Sequence, residues 1–113
     1  MDVQENLPLR EATFFILLSL ATAPRHGYAI MKDTERLSDG RVRLSTGTLY
    51  GAIKRLLEAE WIRRVENGEE EENGRSKKEY ELTDQGRRIF EAEVARLESI
   101  ITVAKESTAG AQA

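Results

Sequence analysis

The stretch that decides the fold is Ser45-Thr46-Gly47-Thr48-Leu49-Tyr50-Gly51-Ala52-Ile53-Lys54-Arg55. Ser45 is a good N-cap, because its side-chain oxygen can accept a hydrogen bond from a free backbone N–H of the first turn. A helix is therefore predicted from Thr46 to about Ala59. Its apolar positions recur at helical spacing and predict a buried stripe of Leu49, Ile53, Leu56 and Leu57.

The opposite face of this predicted helix has two glycines, one turn apart. At about 100° per residue, Gly47, Gly51, Lys54 and Glu58 lie near the pole away from the stripe, with Tyr50 and Arg55 on either side. A Gly in the middle of a helix lowers helix stability by about 1 kcal/mol relative to Ala. Two such glycines on one outer face therefore indicate that the bare backbone lies close to another surface. The alternatives are structural. Gly47 would allow a tight start to the helix, Gly51 would allow close packing with a neighbouring helix, and Lys54 and Arg55 would be ordinary exposed residues.

Two more helices are predicted before this one. The first runs from Leu9 to about Ala23, with Ile16, Leu17 and Leu20 on one side and Phe14, Phe15 and Leu18 on the other. A helix that is apolar nearly all round is buried on most sides, so part of this surface is expected to meet a second chain. The second runs from about Gly27 to Leu37, with an apolar stripe that includes Tyr28. Residues 41–44 alternate and indicate an extended link or a short strand.

A β-hairpin and a long helix are predicted after it. Residues 61–65 and 78–82 are β-leaning, and they enclose a charged tip from about Glu66 to Ser76. Thr83 then caps a helix from Asp84 to about Lys105. Its apolar spacings of 4, 3, 4 and 3 are typical of a short coiled-coil seam, formed by Phe90, Val94, Leu97, Ile101 and Ala104. This seam predicts a dimer interface, with packing onto its own domain as the alternative.

The order of three helices, hairpin and helix predicts a mostly α protein with a small β-hairpin, a winged helix-turn-helix followed by a C-terminal dimerisation helix. We assign residues 7–82 to the winged helix-turn-helix, 83–106 to the dimerisation helix and 107–113 to a disordered tail. In this architecture the third helix enters the DNA major groove and the hairpin contacts the duplex beside it.

The composition of the 113 residues narrows the function. There is no Cys and a single His, so thiolate chemistry and a histidine metal cluster are excluded. No sequence pattern pairs carboxylates as an acid–base catalyst requires. No apolar run is long enough to span a bilayer, and the N-terminus lacks the basic and apolar regions of a signal peptide. We therefore expect a cytoplasmic protein that is not an enzyme and needs no cofactor or metal.

The charge is distributed unevenly along the chain. The net charge is −3, but residues 25–64 contain nine Lys or Arg and five Asp or Glu, whereas residues 66–113 contain seven and twelve. A basic middle can bind phosphates in an acidic protein, because salt screens distant charges. The acidic half, with four consecutive acids at 69–72, favours a rival hypothesis. This is a winged-helix module that binds a protein and no nucleic acid.

The most specific patterns of the chain are three segments: Pro24-Arg25-His26-Gly27-Tyr28-Ala29-Ile30, then Leu44-Ser45-Thr46-Gly47-Thr48-Leu49-Tyr50, then Lys78-Glu79-Tyr80-Glu81-Leu82-Thr83. Together they resemble the PadR family of transcriptional regulators over about residues 7–105, and the single last helix is similar to its short-form branch. The resemblance implies a homodimeric repressor of a palindromic operator, although an activator would show the same residues. It also implies release from DNA by a small hydrophobic or aromatic effector.

The resemblance also implies residue roles. By position, the third helix would contact DNA through Ser45, Thr46, Thr48, Tyr50, Lys54 and Arg55, beside the bare Gly47 and Gly51. The wing would add Arg75, Lys77 and Lys78, although its acidic tip prevents it from lying flat on the phosphates. The expected dimer interface comprises Phe14, Phe15 and Leu18 with Phe90, Val94, Leu97, Ile101 and Ala104.

Overall fold

The computed structural model describes residues 3–65 and 78–109. After a short 3-10 turn at Gln4–Asn6, the elements are α1 (Glu11–Ala21), β1 (Arg25–His26), α2 (Gly27–Leu37), α3 (Thr46–Glu58), β2 (Ile62–Val65), β3 (Glu79–Leu82) and α4 (Asp84–Ala109). This order confirms the predicted class, in which three helices precede a hairpin and a long helix follows it.

The core lies between the first three helices, the sheet and the start of α4. It is formed by apolar side chains from every one of these elements: Ile16, Leu17, Leu20, Ile30, Leu49, Ala52, Ile53, Leu56, Ile62, Tyr80, Leu82 and Ile89. Each fully buried aliphatic side chain stabilises the fold by about 1.5–3 kcal/mol. The stripe predicted for α3 is buried except for Leu57, which packs partly exposed against the core. The stripe faces the core, so the opposite side of α3 faces outward.

The sheet has three strands rather than the two of a hairpin. All neighbours are antiparallel, and β3 lies in the centre between β1 and β2. Of the two structures expected for residues 41–44, the structure shows the link and not the strand: the segment is an irregular connection into α3. The extra strand is Arg25–His26, which pairs with Tyr80 and Glu79. Two residues carry no periodicity, so this strand arises only because the chain passes the free edge of β3.

The predicted apolar stripe of α2 is wrong at Tyr28. This side chain is 62% exposed, and Lys32 Nζ lies 5.6 Å from the centre of its ring. The buried positions of α2 are Gly27, Ile30 and Thr34. Two helical steps of about 100° place Tyr28 far from Ile30 on the helix circumference, so both residues do not share one face.

The junction between β2 and α4 is held by short backbone contacts around Trp61. The Trp61 carbonyl accepts a hydrogen bond from the Thr83 backbone N–H at 3.0 Å. Thr83 Oγ1 in turn accepts from the Gly86 N–H at 3.0 Å, which confirms Thr83 as the cap of α4. Gly86 lies directly against the Trp61 carbonyl, where a Cβ atom would overlap it. The start of α4 is therefore fixed relative to the base of the hairpin.

The last helix is longer than predicted. It continues to Ala109, four residues beyond the expected end, so residues 107–109 are helical and not part of a disordered tail. Thr108 Oγ1 donates to the Ala104 carbonyl at 2.9 Å, a local bond that the composition of the tail does not reveal. The 26 residues span about 39 Å. Residues 110–113 lie outside the described part of the chain. None of the described helices is long and apolar enough to cross a membrane.

Candidate nucleic-acid interface

The N-terminus of α3 is built around Ser45. Its side-chain oxygen accepts a hydrogen bond from the Thr48 backbone N–H at 3.2 Å and donates to Thr48 Oγ1 at 2.9 Å. The cap that the sequence predicts is therefore present. Because Ser45 supplies the proton to Thr48 Oγ1, the Thr48 hydroxyl proton is left to donate to another acceptor. Both side chains are exposed, as is Thr46 between them.

The two glycines of α3 leave its outer face bare. Among the described residues, a Cβ atom placed on Gly47 would have no neighbour within 4 Å, and one placed on Gly51 would contact only Arg55 Nη1 at 3.6 Å. Close packing against a neighbouring helix does not explain Gly51, because no other described helix backbone lies within 4 Å of that position. The outer backbone of α3 is therefore open to approach by another molecule over about one turn.

The cations of this face are unpaired. Within residues 3–65 and 78–109, neither Lys54 nor Arg55 has a carboxylate within 4 Å. Five other arginines of the basic middle are ion-paired: Arg25 and Arg36 with Asp33, Arg41 with Glu11, Arg43 with Glu35 and Arg63 with Glu81. Pairing reduces the positive charge at those five places. The positive charge that remains free in this region therefore includes the outer face of α3.

Tyr50 extends the same surface towards α2. Its side chain is 48% exposed, while its hydroxyl lies beside Gly27 at the first residue of α2. The ring thus bridges the two helices of the helix-turn-helix, with about half of the residue open to solvent. The sequence contains both residues but gives no sign that they meet, since 23 positions separate them.

The predicted wing residues are described only in part. Lys78 is exposed and immediately precedes β3. Arg75, Lys77 and the acidic tip at 69–72 lie outside the described residues. The described sheet adds Arg64, whose side chain is exposed on β2 beside α3. Among the described residues, no three His, Asp or Glu side chains converge as a metal site requires.

The sequence matches the PadR-like family of transcriptional regulators over residues 16–92, which is more than half of the chain. The chain belongs to the PadR-like family. A curated relative is 39% identical over 83 residues, an uncharacterized 37.1 kDa protein in transposon TN4556 of Streptomyces fradiae. The alignment covers 74% of this chain but only 22% of that protein.

Solved PadR structures share the fold. A PadR family transcription regulator from Clostridium difficile R20291 superposes with a TM-score of 0.71 and 24% identity, covering 88% of this chain and 99% of that one. PadR of Bacillus subtilis, solved in complex with operator DNA, superposes with a TM-score of 0.64 and 21% identity. That match covers 75% of this chain and 47% of the Bacillus protein. The helix-turn-helix and the hairpin strands lie inside the family match, whereas the end of α4 lies beyond it.

The predicted interface residues of this PadR-like chain divide into two groups. Phe14 and Phe90 contact each other within the subunit, with ring centroids 5.4 Å apart, and Phe15 meets Phe14 edge to face at 5.6 Å. This first group packs on its own domain but remains half-buried, together with Leu18, Val94 and Leu97. The second group, Ile101 and Ala104, is exposed, and so are Ile100 and Val103 beside it. Residues 98–109 of α4 are all exposed in the single chain.

A buried carboxylate on α4 was missed by the sequence patterns. Glu93 is only 2% exposed and accepts hydrogen bonds from the Leu9 backbone N–H, at 2.7 Å, and from the Arg96 guanidinium. The Arg96 hydrogen bond outweighs the effect of burial and lowers the pKa of Glu93 below its ordinary value. The only sequence signal is Arg96 three residues later on the helix, a spacing that is common on exposed faces.

Proposed function

We propose that this PadR-like chain is a homodimeric repressor that binds a palindromic operator and is released by a small hydrophobic or aromatic effector. The observation that carries the proposal is the outer face of α3, where bare backbone lies next to exposed hydroxyls and unpaired cations. Such a face suits duplex DNA, because the helix backbone can approach the floor of the major groove while the side chains on either side reach phosphates.

The outer face of α3 contains two groups of residues, one that would bind phosphates and fix the position of the helix, and one that would contact the major groove. Ser45, Thr46 and Thr48 lie at the N-terminus of the helix, where free N–H groups and hydroxyls favour phosphate oxygens. Gly47 and Gly51 would let the helix lie deep in the major groove. Tyr50, Lys54 and Arg55 would then contact the groove wall, with Arg75, Lys77 and Lys78 of the wing on the flanking backbone. The operator complex of Bacillus subtilis PadR supports this arrangement by fold.

The dimer is supported by the projecting end of α4. Residues 98–109 continue α4 with every residue exposed, so this part of the helix gains little from packing in the single chain. Ile101 is 52% exposed on the predicted seam, and its neighbours Ile100 and Val103 are equally bare. A second copy of the chain would cover this surface and the half-buried Phe14, Phe15 and Leu18 of α1. A two-fold dimer would present two α3 helices to half-sites about 34 Å apart.

The effector proposal rests on the aromatic cluster of α1 and α4. Phe14, Phe15 and Phe90 meet at the surface that the partner subunit would cover. A flat hydrophobic molecule inserted between the subunits would contact these rings and change the angle between the two α3 helices. Aromatic stacking is worth about 0.5–1.5 kcal/mol beyond the area buried, which favours aromatic over aliphatic compounds.

DNA binding is tested by comparing two arginines of equal charge. We expect Arg55→Ala to weaken binding and to reduce the salt dependence of the affinity by about one phosphate contact. Arg88→Ala removes the same charge from an exposed site on α4 and is the control. The probe is the duplex that the wild-type protein selects from a random library, with binding followed by fluorescence anisotropy over a salt series. Equal salt slopes for both variants would contradict the assignment, and failure to select any duplex would favour the protein-interaction module.

The dimer is tested on the part of α4 in which every residue is exposed in the single chain. Ile101→Glu should yield monomers without unfolding the subunit, because this side chain is already exposed in the single chain. Thr102→Glu, which adds the same charge one residue away from the seam, should remain dimeric. The measurement is the mass by multi-angle light scattering. A dimeric mass for Ile101→Glu would place the interface elsewhere.

A further inference from the structure

Gly27, at the start of α2, lies in close contact with Tyr50 on the outer face of α3. A Cβ atom built on Gly27 would lie 2.5 Å from the Tyr50 hydroxyl oxygen and 2.9 Å from Cζ of the ring. These distances are far below van der Waals contact, so no residue except glycine fits without moving the tyrosine. Gly27 itself is buried, although Tyr50 is half exposed.

The backbone at Gly27 has little freedom to retreat from the ring. The preceding residue, His26, pairs with Glu79 in the sheet, and Gly27 is also the first residue of α2. A side chain added at Gly27 would therefore displace the tyrosine rather than the glycine. No left-handed backbone angle is involved, since the positive φ values of the described residues lie elsewhere, and the requirement for glycine is one of space.

The hydroxyl of Tyr50 has no hydrogen-bond partner among the described residues, so packing alone holds it in place. Packing comes from its own helix on one side and from Gly27 on the other. We propose that Gly27 is a positioning residue for DNA binding: its missing side chain forms the seat that aims the Tyr50 hydroxyl at a backbone phosphate. This inference rests on the proposed function, because Tyr50 needs a duplex to contact.

A different role for Gly27 predicts a different result. If the bare backbone of Gly27 itself approached the duplex, a methyl group there would weaken binding whether or not Tyr50 is present. If Gly27 acts through the ring, the methyl group matters only while the ring is there. Tyr50→Ala removes the atoms that the added Cβ would strike, so a double-mutant cycle separates the two roles.

The test measures the wild-type protein, Gly27→Ala, Tyr50→Ala and the double variant on the duplex that the wild type selects from a random library. We expect each single variant to bind about fivefold more weakly, as for the loss of one hydrogen bond, with an unchanged salt slope because a neutral hydroxyl displaces no counterion. The double variant should bind like Tyr50→Ala alone. Wild-type affinity for Gly27→Ala, or fully additive losses in the double variant, would overturn the proposal.

A second readout needs no DNA. The chain has three tyrosines, and in protein labelled with ¹³C-tyrosine the ring signals of Tyr50 are assigned by Tyr50→Phe. Gly27→Ala should shift the Tyr50 signals and leave those of Tyr80, which is 3% exposed in the core, unchanged. Unmoved Tyr50 signals would overturn the inference even if DNA binding is intact. A wild-type protein that binds no duplex would overturn both the proposed function and this role, whatever the spectra show.

Discussion

Replacing Gly51 by Ala should make the protein more stable and a poorer DNA binder. Gly51 lies in the interior of α3, where Ala is favoured over Gly by about 1 kcal/mol. Within residues 3–65 and 78–109 the added methyl group meets only Arg55 Nη1, at an ordinary contact distance of 3.6 Å, so no clash there offsets this gain. With an unfolding entropy of about 0.24 kcal/mol/K for 113 residues, the gain raises Tm by about 4 °C.

The same methyl group should weaken binding if the backbone of α3 lies against the duplex. Forcing a methyl group into a packed contact costs about 1–3 kcal/mol, which corresponds to a loss of about 5- to 150-fold in affinity. Gly47→Ala adds a methyl group one turn earlier, where no atom of the described part of the chain lies within 4 Å, and should behave alike. If a variant is more stable than the wild type and yet binds DNA more weakly, unfolding cannot be the cause of the weaker binding.

Thermal unfolding followed by circular dichroism measures the stability, and fluorescence anisotropy on the selected duplex measures the affinity. The reasoning fails if both variants bind as tightly as the wild type, because the bare ridge would then not be what contacts DNA. A fall in Tm for Gly51→Ala would show instead that the space beside this glycine is needed by the fold.

Three further changes test the fold that supports this surface. Gly86→Ala should lower stability by about 2 kcal/mol or more, because its Cβ would overlap the Trp61 carbonyl, and a urea midpoint equal to that of the wild type would contradict this. Ser45→Ala should cost about 1 kcal/mol through loss of the N-cap, seen as a Tm about 4 °C lower, whereas Ser45→Asp should retain most of the stability. The folded-state pKa of Glu93 is lowered, so its stabilisation is present above the ordinary value of 4.5 and is lost as the pH falls through the folded-state value. The stability advantage of wild type over Glu93→Gln at about pH 7 should therefore shrink by about pH 3, and a constant difference would contradict it.

Much of the architecture could be predicted because its signals are local. The serine cap and the apolar stripe place the start of α3 correctly and its end within one residue. The hairpin strands and the threonine cap of α4 follow from alternation and capping in the same way. The open outer face of α3 also follows from periodicity, because a helix that buries Leu49 and Ile53 must turn Gly47 away from the core.

The starts of the helices, their apolar faces and the family resemblance can all be predicted from the amino-acid order, since each depends on residues within a few positions of one another. The β1 strand, the burial of Glu93 against Leu9 and the contact of Tyr50 with Gly27 become visible only in the folded chain. Each of these joins residues that are far apart in the chain, so their cost or benefit exists only once the elements have packed together. Local patterns report the propensities of a segment, whereas a close contact between two segments depends on geometry that the whole fold sets.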